Sequence, residues 1–196
     1  MTLRSAIDIL AMLACSLYCT IPLFWLVVHP FIARWRQQGR RAYAFILPIW
    51  AAFIATAFLA MWPFRFAHFY ANWFGWAPAA ILFLLGFAIY SAAFQSFHHA
   101  QVSGLAEMEP DRHRQQLVTT GIRSRVRHPI YLGHLCEIFG WCVGTGLIAL
   151  CVLALFAILT GALMIRLEDR ELEARFGERY RVYRRSVPAV IPRLGG

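Results

Sequence analysis

The sequence predicts an all-α fold: a polytopic membrane helical bundle of about five transmembrane helices, with a C-terminal helical hairpin and a cytoplasmic amphipathic tail helix. Three observations predict it. Of 196 residues, 60% are hydrophobic and only 15% are charged, which is far from the usual balance of a water-soluble domain. Uncharged runs of about 20 residues recur along the chain, the length a helix needs to cross a hydrocarbon layer of roughly 30 Å. Every basic residue is Arg, 19 in all, and 17 of them fall in three segments that alternate with the apolar runs.

The first run, Ile9–Val28, follows Arg4. It is too long for the apolar part of a signal peptide and has no small-residue cleavage site, so it reads as a retained span. A second run covers Ala42–Phe64. The aromatic stretch "FRFAHFYANWFGW" (Phe64–Trp76) suits an interfacial loop, where Trp, Tyr and Phe sit at headgroup level. Pro78 opens a third span over Ala77–Phe97, in keeping with Pro at a first helical turn. From Gln101 to Arg127 the chain is polar. The 38 residues His128–Ile165 then carry one carboxylate, Glu137, and no Arg. A single helix of that length would reach about 57 Å, so "GTG" (Gly144–Gly146) is expected to break it into Pro129–Val143 and Leu147–Ile165. The tail from Arg166 is helical in pattern, with Glu171 and Arg175 at i,i+4, Gly177 as an interruption and Pro188 and Pro192 as stops. One domain is expected over residues 1–196, with three spans in 1–97 and the loop, hairpin and tail in 98–196.

Five spans would put the segments after spans one and three on the same side as the tail. These carry four, five and eight arginines, against Arg4 and Arg65 on the other side. The positive-inside rule then places the N-terminus outside and the tail in the cytoplasm, in a multi-pass membrane protein (the inner membrane in a bacterium). The charge of +9 and a pI near 10.0 suit anionic headgroups better than nucleic acid, because the arginines border apolar spans. Membrane lipids are the expected partners, and no nucleic acid. The sequence is silent on oligomeric state.

Cys15, Cys19, Cys136, Cys142 and Cys151 all lie in apolar runs, without the paired spacing of a zinc site or a disulfide scaffold. His98, His99, His113, His128 and His134 supply nitrogen ligands, but no HExxH or paired ExxH pattern exists. No metal site is expected. Tyr131, His134 and Glu137 recur every three residues on one predicted helix. An ionisable pair at membrane depth points to function by default; a His–Glu hydrogen bond closing the bundle is the plainer alternative. His128-Pro129 fits a structural helix start, and Glu168-Asp169 can be ordinary solvated carboxylates.

The strings "LVTTGIRSRVRHPIYLG" and "EDRELEARFGERYRVYRRSVPAVIP" together carry a resemblance. Spanning about Gln115–Pro192, they resemble the isoprenylcysteine carboxyl methyltransferase and phospholipid methyltransferase family of integral-membrane enzymes dependent on S-adenosylmethionine. The resemblance implies that Gln115, Gln116, Leu117 and Val118 lie along the adenosine, with Gly121 and Arg127 beside them. It implies further that His128, Pro129, Ile130 and Tyr131 wall the S-adenosyl-L-methionine site, and that Glu168 reaches across to it. Glu168 and His128 are the implied catalytic residues, with Arg166 a candidate to hold a substrate carboxylate. Arg123 stands where the family has Tyr, and Asp169 where it has Glu.

The expected reaction is methyl transfer to a lipophilic small-molecule or prenylated acceptor, most like isoprenylcysteine carboxyl O-methylation. Phospholipid N-methylation is the alternative enzyme, and a haem-binding or structural membrane protein the non-enzyme alternative. An ionised carboxylate needs no strong base, so catalysis would rest on alignment and water exclusion. An amine must lose a proton, which would require Glu168, Asp169 or His128.

Overall fold

In the computed structural model, residues 2–95, 104–109, 112 and 116–193 are described. Expectations for Gln115, His98, His99, His113 and the last residues of the third predicted span lie outside them. The described residues form helices and no strand; one isolated bridge pairs His68 with Leu147.

The first helix, α1, spans Leu3–Val28 and begins six residues before the expected span. Thr2 caps it by accepting from Ser5 N–H at 3.2 Å, as a hydroxyl at this position should. The extra turns carry Arg4 and Asp8, which are tolerated because both find partners. Arg4 donates to the carbonyls of Tyr70 and Thr145 at 3.4 and 3.3 Å, and Asp8 lies 3.1 Å from His68 Nε2.

After a 3₁₀ turn come α2 (Ile32–Gln38) and α3 (Tyr43–Met61). Next is α4 (Trp76–Phe94), then the single turn α5 (Leu105–Met108). Three stretches have the length and apolar character to cross a membrane: Leu3–Phe64, which holds both α1 and α3, Trp76–Phe94, and Ile148–Phe176. All-helical among the described residues, the chain has the apolar helices of an integral membrane protein. Leu47 and Leu59 on α3, with Leu84 and Phe87 on α4, are exposed, as lipid-facing side chains are.

The hairpin forms where "GTG" predicted it. Helix α6 covers Pro129–Thr145 and α7 covers Ile148–Phe176, with Gly146 left-handed at φ 71° between them. The expected division between a fifth span ending at Ile165 and a separate tail helix is corrected. Helix α7 runs on for 29 residues, since Arg166–Arg175 contains strong helix formers and no breaker. Gly177, at φ 59°, ends it and starts α8 (Glu178–Ser186).

The core joins α1, α6 and α7 through small residues: Ala11, Cys15 and Cys19 meet Ile138 and Cys142 and also Ala154 and Ala157. Small side chains let membrane helices approach closely, which is a sufficient role for these cysteines. Helix α4 lies against α6 in the same way, with Tyr90 over Gly133 and Phe83 over Gly140. Helices α1, α3, α4, α6 and α7 alternate in direction. One end of the bundle therefore gathers Arg4, His68 and the hairpin turn. The other gathers the start of α6, the far end of α7, and Arg40 with Glu109.

Candidate active site

The distinctive chemistry lies at that second end. The loop before α6 makes a 3₁₀ turn at Gly121–Ser124. Arg127 N–H and His128 N–H then donate to the carbonyls of Pro188 and Ala189, both at 2.9 Å. This short backbone clamp holds His128 at the N-cap of α6. Pro129 follows at the first turn, where its missing N–H costs nothing.

Beneath the clamp lies Asp169, 4% exposed, serving four side chains at once. Arg127 Nη2 donates to Oδ2 at 2.8 Å and His128 Nε2 stands 3.3 Å from Oδ1. The Tyr180 hydroxyl donates to Oδ1, and Arg184 Nε lies 3.5 Å from Oδ2. Arg127 also donates to the carbonyls of Arg184 and Val187. Its charge thus fastens three chain segments together.

Glu168 differs from its neighbour. Its Oε2 is 3.2 Å from His128 Nδ1, and 29% of its side chain remains accessible where that of His128 retains 7%. Burial opposes protonation of His128. The Glu168 charge and the hydrogen bond to Asp169 outweigh it and raise the pKa to about 9, so the imidazole is a cation at neutral pH. Burial lowers the pKa of Arg123, with the Glu168 charge acting in the opposite direction. Tyr183 donates its hydroxyl to the Arg123 carbonyl at 2.6 Å, and burial pushes its own pKa up.

These groups border a cavity of about 930 Å³, at the upper end of the roughly 300–1,000 Å³ of small-molecule sites. Gln116, Leu117, Val118, Arg127, His128, Pro129, Ile130, Tyr131 and Glu168 all line it, so the structure brings these sequence-selected residues together. Arg166 and Gly121 are exposed and stand outside its wall. Arg166 precedes Glu168 by two helical positions, and residues so spaced point to different sides. Gly121 supplies a left-handed turn at φ 62°.

The cavity also takes residues that had no assigned role. His29, Tyr180, Tyr183 and Arg123 border its polar part, while Phe24, Trp25, Trp50, Phe87 and Met164 wall the rest. His29 Nδ1 meets Glu171 Oε2, and its ring stacks on Trp25 at 5.2 Å. Tyr180 and Tyr183 were visible as the two tyrosines of "ERYRVYRR"; their inward direction was not. The His134–Glu137 hydrogen bond, the plainer of the two readings of that pair, is absent among the described residues. His134 Nδ1 donates instead to the Ile130 carbonyl at 2.7 Å. Nor do three His, Cys, Asp or Glu side chains stand together as a metal site among the described residues.

Residues 74–179 match the phospholipid methyltransferase family. Methanethiol S-methyltransferase 2 of Bradyrhizobium diazoefficiens is 32% identical over 151 residues, covering 75% of this chain and 51% of that protein. Methanethiol S-methyltransferase of Crocosphaera subtropica is 30% identical over 119 residues, covering 58% of this chain and 46% of its own length. The cobalt-zinc-cadmium resistance protein CzcN of Cupriavidus metallidurans is 42% identical over 84 residues, 42% of this chain and 38% of that one. The chain spans about half the length, or less, of these relatives, and no solved structure matches it. With the match extending from the aromatic loop through α4, the hairpin and the start of α8, the chain belongs to the phospholipid methyltransferase family of membrane methyltransferases.

Proposed function

We propose that this protein transfers a methyl group from S-adenosylmethionine to an apolar acceptor that reaches the site from the bilayer. The observation that carries the proposal is a single cavity with two characters: ionic at the end of α7, aromatic and aliphatic between the helices. A methyl donor soluble in water and an acceptor soluble in lipid need such a boundary.

The residues fit the donor by their chemistry. S-adenosylmethionine carries a carboxylate, an ammonium and a sulfonium, and it supplies an electrophilic methyl group. Glu168, a cavity carboxylate that keeps part of its side chain accessible, is suited to the cationic part, and the His128 cation and Arg123 to the carboxylate. Leu117 and Val118 offer an apolar surface to an adenine, with Gln116 beside them. Arg127 and Asp169 hold this set in position and leave the direct contacts to others. Tyr131, Pro129 and Ile130 close the wall and exclude water, which favours a transfer that disperses charge. The arginine distribution puts the ionic mouth in the cytosol and lets the donor enter from there.

The acceptor of first choice is a small lipophilic thiol, because the names of two relatives specify thiol methylation. The isoprenylcysteine carboxylate expected from the sequence pattern is the second reading, favoured by the cationic groups near the cavity mouth. Incubation of purified protein with donor labelled at the methyl group tests both. The panel is an alkanethiol, a farnesylcysteine analogue and phosphatidylethanolamine. Label in the alkanethiol product is expected. Label only in the farnesylcysteine ester selects the second reading, and label in none of them overturns the proposal.

A further inference from the structure

His134 lies six residues beyond His128 on α6, which at about 1.5 Å per residue puts it about 9 Å deeper between the helices. Its Nδ1–H is committed to the Ile130 carbonyl, so in the neutral ring Nε2 keeps its lone pair. Three tyrosine rings surround it: Tyr18 and Tyr90 with ring centres at 5.5 Å, and Tyr131 at 6.4 Å. All four side chains border the cavity. The Tyr131 hydroxyl is spent on the Ala157 carbonyl at 2.7 Å. That of Tyr90 is buried and has no hydrogen-bond partner among the described residues. Glu137, one turn farther, approaches Gly86 of α4.

One acceptor nitrogen and one buried donor hydroxyl, on two side chains that border the cavity, thus have no hydrogen-bond partner among the described residues, at a depth where unused polar groups are costly. We propose that His134 and Tyr90 form the acceptor subsite for a thiol, with His134 Nε2 the general base that removes the S–H proton. This rests on the methyltransferase reading above and names the group on which it acts. As the S–H bond breaks, its proton passes to Nε2 and its electron pair stays on the acceptor sulfur, where the Tyr90 hydroxyl donates to it. That sulfur bonds to the methyl carbon. The methyl–sulfur bond of the donor breaks, its pair returns to the donor sulfur, and the sulfonium becomes a neutral thioether. The imidazolium then releases its proton to solvent. The products are a methyl thioether, the demethylated donor and one proton.

Other nucleophiles suit this chamber less well. A carboxylate arrives ionised and needs no base. A simple aliphatic amine arrives protonated and must be desolvated as a cation. A thiol, with a pKa of about 8.5 or above, partitions into the apolar layer uncharged and must lose its proton where it reacts. Phe24, Phe87 and Met164 suit its hydrocarbon part.

The test uses full-length protein in detergent with His134→Gln and Tyr90→Phe. Both variants are expected to bind S-adenosylhomocysteine within about twofold of wild type by calorimetry, because neither residue is assigned to the donor. Single-turnover rates are measured with thiols of graded acidity. His134→Gln is expected to lose about 100-fold with a weakly acidic alkanethiol, the lower range of general-base effects. The loss should shrink to a few-fold with an aryl thiol that is already ionised. Alkanethiol affinity, read from fluorescence of Trp25 and Trp50 with S-adenosylhomocysteine bound, should fall several-fold in Tyr90→Phe. A loss equal across the thiol series, no loss, or a parallel loss of S-adenosylhomocysteine affinity overturns the proposal. Wild-type protein that fails to bind S-adenosylhomocysteine instead removes the donor reading on which it stands.

Discussion

The Nδ1 of His128 stands 3.2 Å from Oε2 of Glu168, tying the first residue before α6 to the stretch where α7 turns from apolar to charged. The pair is asymmetric. His128 is enclosed, whereas Glu168 keeps a face on the cavity, so a ligand meets the carboxylate directly and the imidazole through its edge.

This asymmetry sets the first prediction. His128→Ala and Glu168→Ala are each expected to weaken S-adenosylhomocysteine binding about tenfold or more, about 1.4 kcal/mol, in protein that still inserts and folds. Glu168→Gln keeps the shape and removes the charge, so it should lie between wild type and Glu168→Ala. Calorimetric titration of the three variants is the check, and unchanged affinity in all of them removes both residues from the donor site.

Asp169 is expected to behave in the opposite way, as a support. Asp169→Asn leaves the Arg127 guanidinium buried beside a neutral partner. Removing one member of a buried ion pair costs about 3–5 kcal/mol. Tyr180→Phe removes one hydrogen bond to the same carboxylate and should cost about 1 kcal/mol. Thermal unfolding in detergent should rank the two in that order. Equal melting temperatures would show that Asp169 does not organise this end of the bundle.

The contrast between adjacent acids also marks where sequence reasoning stops. Hydropathy and the "GTG" break were enough to locate α6 and α7, because each signal is local. The pairing of His128 with Glu168 is not local, and only the family resemblance carried by the RHP and Glu-Asp strings implied it. Which acid faces the cavity depends on the rotation of α7, fixed by Ala154, Ala157 and Gly161 packing against α1 and α6. One residue of rotation would exchange the two carboxylates. The sequence understates the length of α7 for a related reason: a change in polarity marks a membrane boundary and carries no instruction to end a helix. Arg4 and Asp8 hid the start of α1 because their partners, in the aromatic loop and the hairpin turn, are far away in sequence.

The His128 cation predicts a pH dependence. Its folded pKa, about 9, exceeds the ordinary value near 6.5, so folding favours the protonated form. The stabilisation is full below about pH 6.5 and is lost as pH rises toward 9. At about 1.4 kcal/mol per pKa unit, the full window corresponds to roughly 3 kcal/mol. Melting temperature should therefore fall across this window in wild type and fall less in His128→Gln. Parallel curves would mean that His128 is neutral in the folded protein.

Gly161 provides a test of the cavity wall that changes no charge. A Cβ at this position of α7 would lie 1.4 Å from the Tyr131 hydroxyl oxygen and 1.9 Å from its ring carbon. The Tyr131 ring is anchored on α6 and its hydroxyl is bonded to the Ala157 carbonyl of α7, so it cannot withdraw from Gly161 without breaking that bond. Gly161→Ala must then expel the tyrosine into the cavity or push α7 from α6, and overpacking of this kind costs about 1–3 kcal/mol or more. Tyr131→Phe removes only the hydroxyl. The double variant Gly161→Ala with Tyr131→Phe should recover part of the lost melting temperature, since the closest clash is with the deleted oxygen. A stability in the double variant no higher than in Gly161→Ala alone would show that the wall yields by helix displacement, with the tyrosine ring left in place.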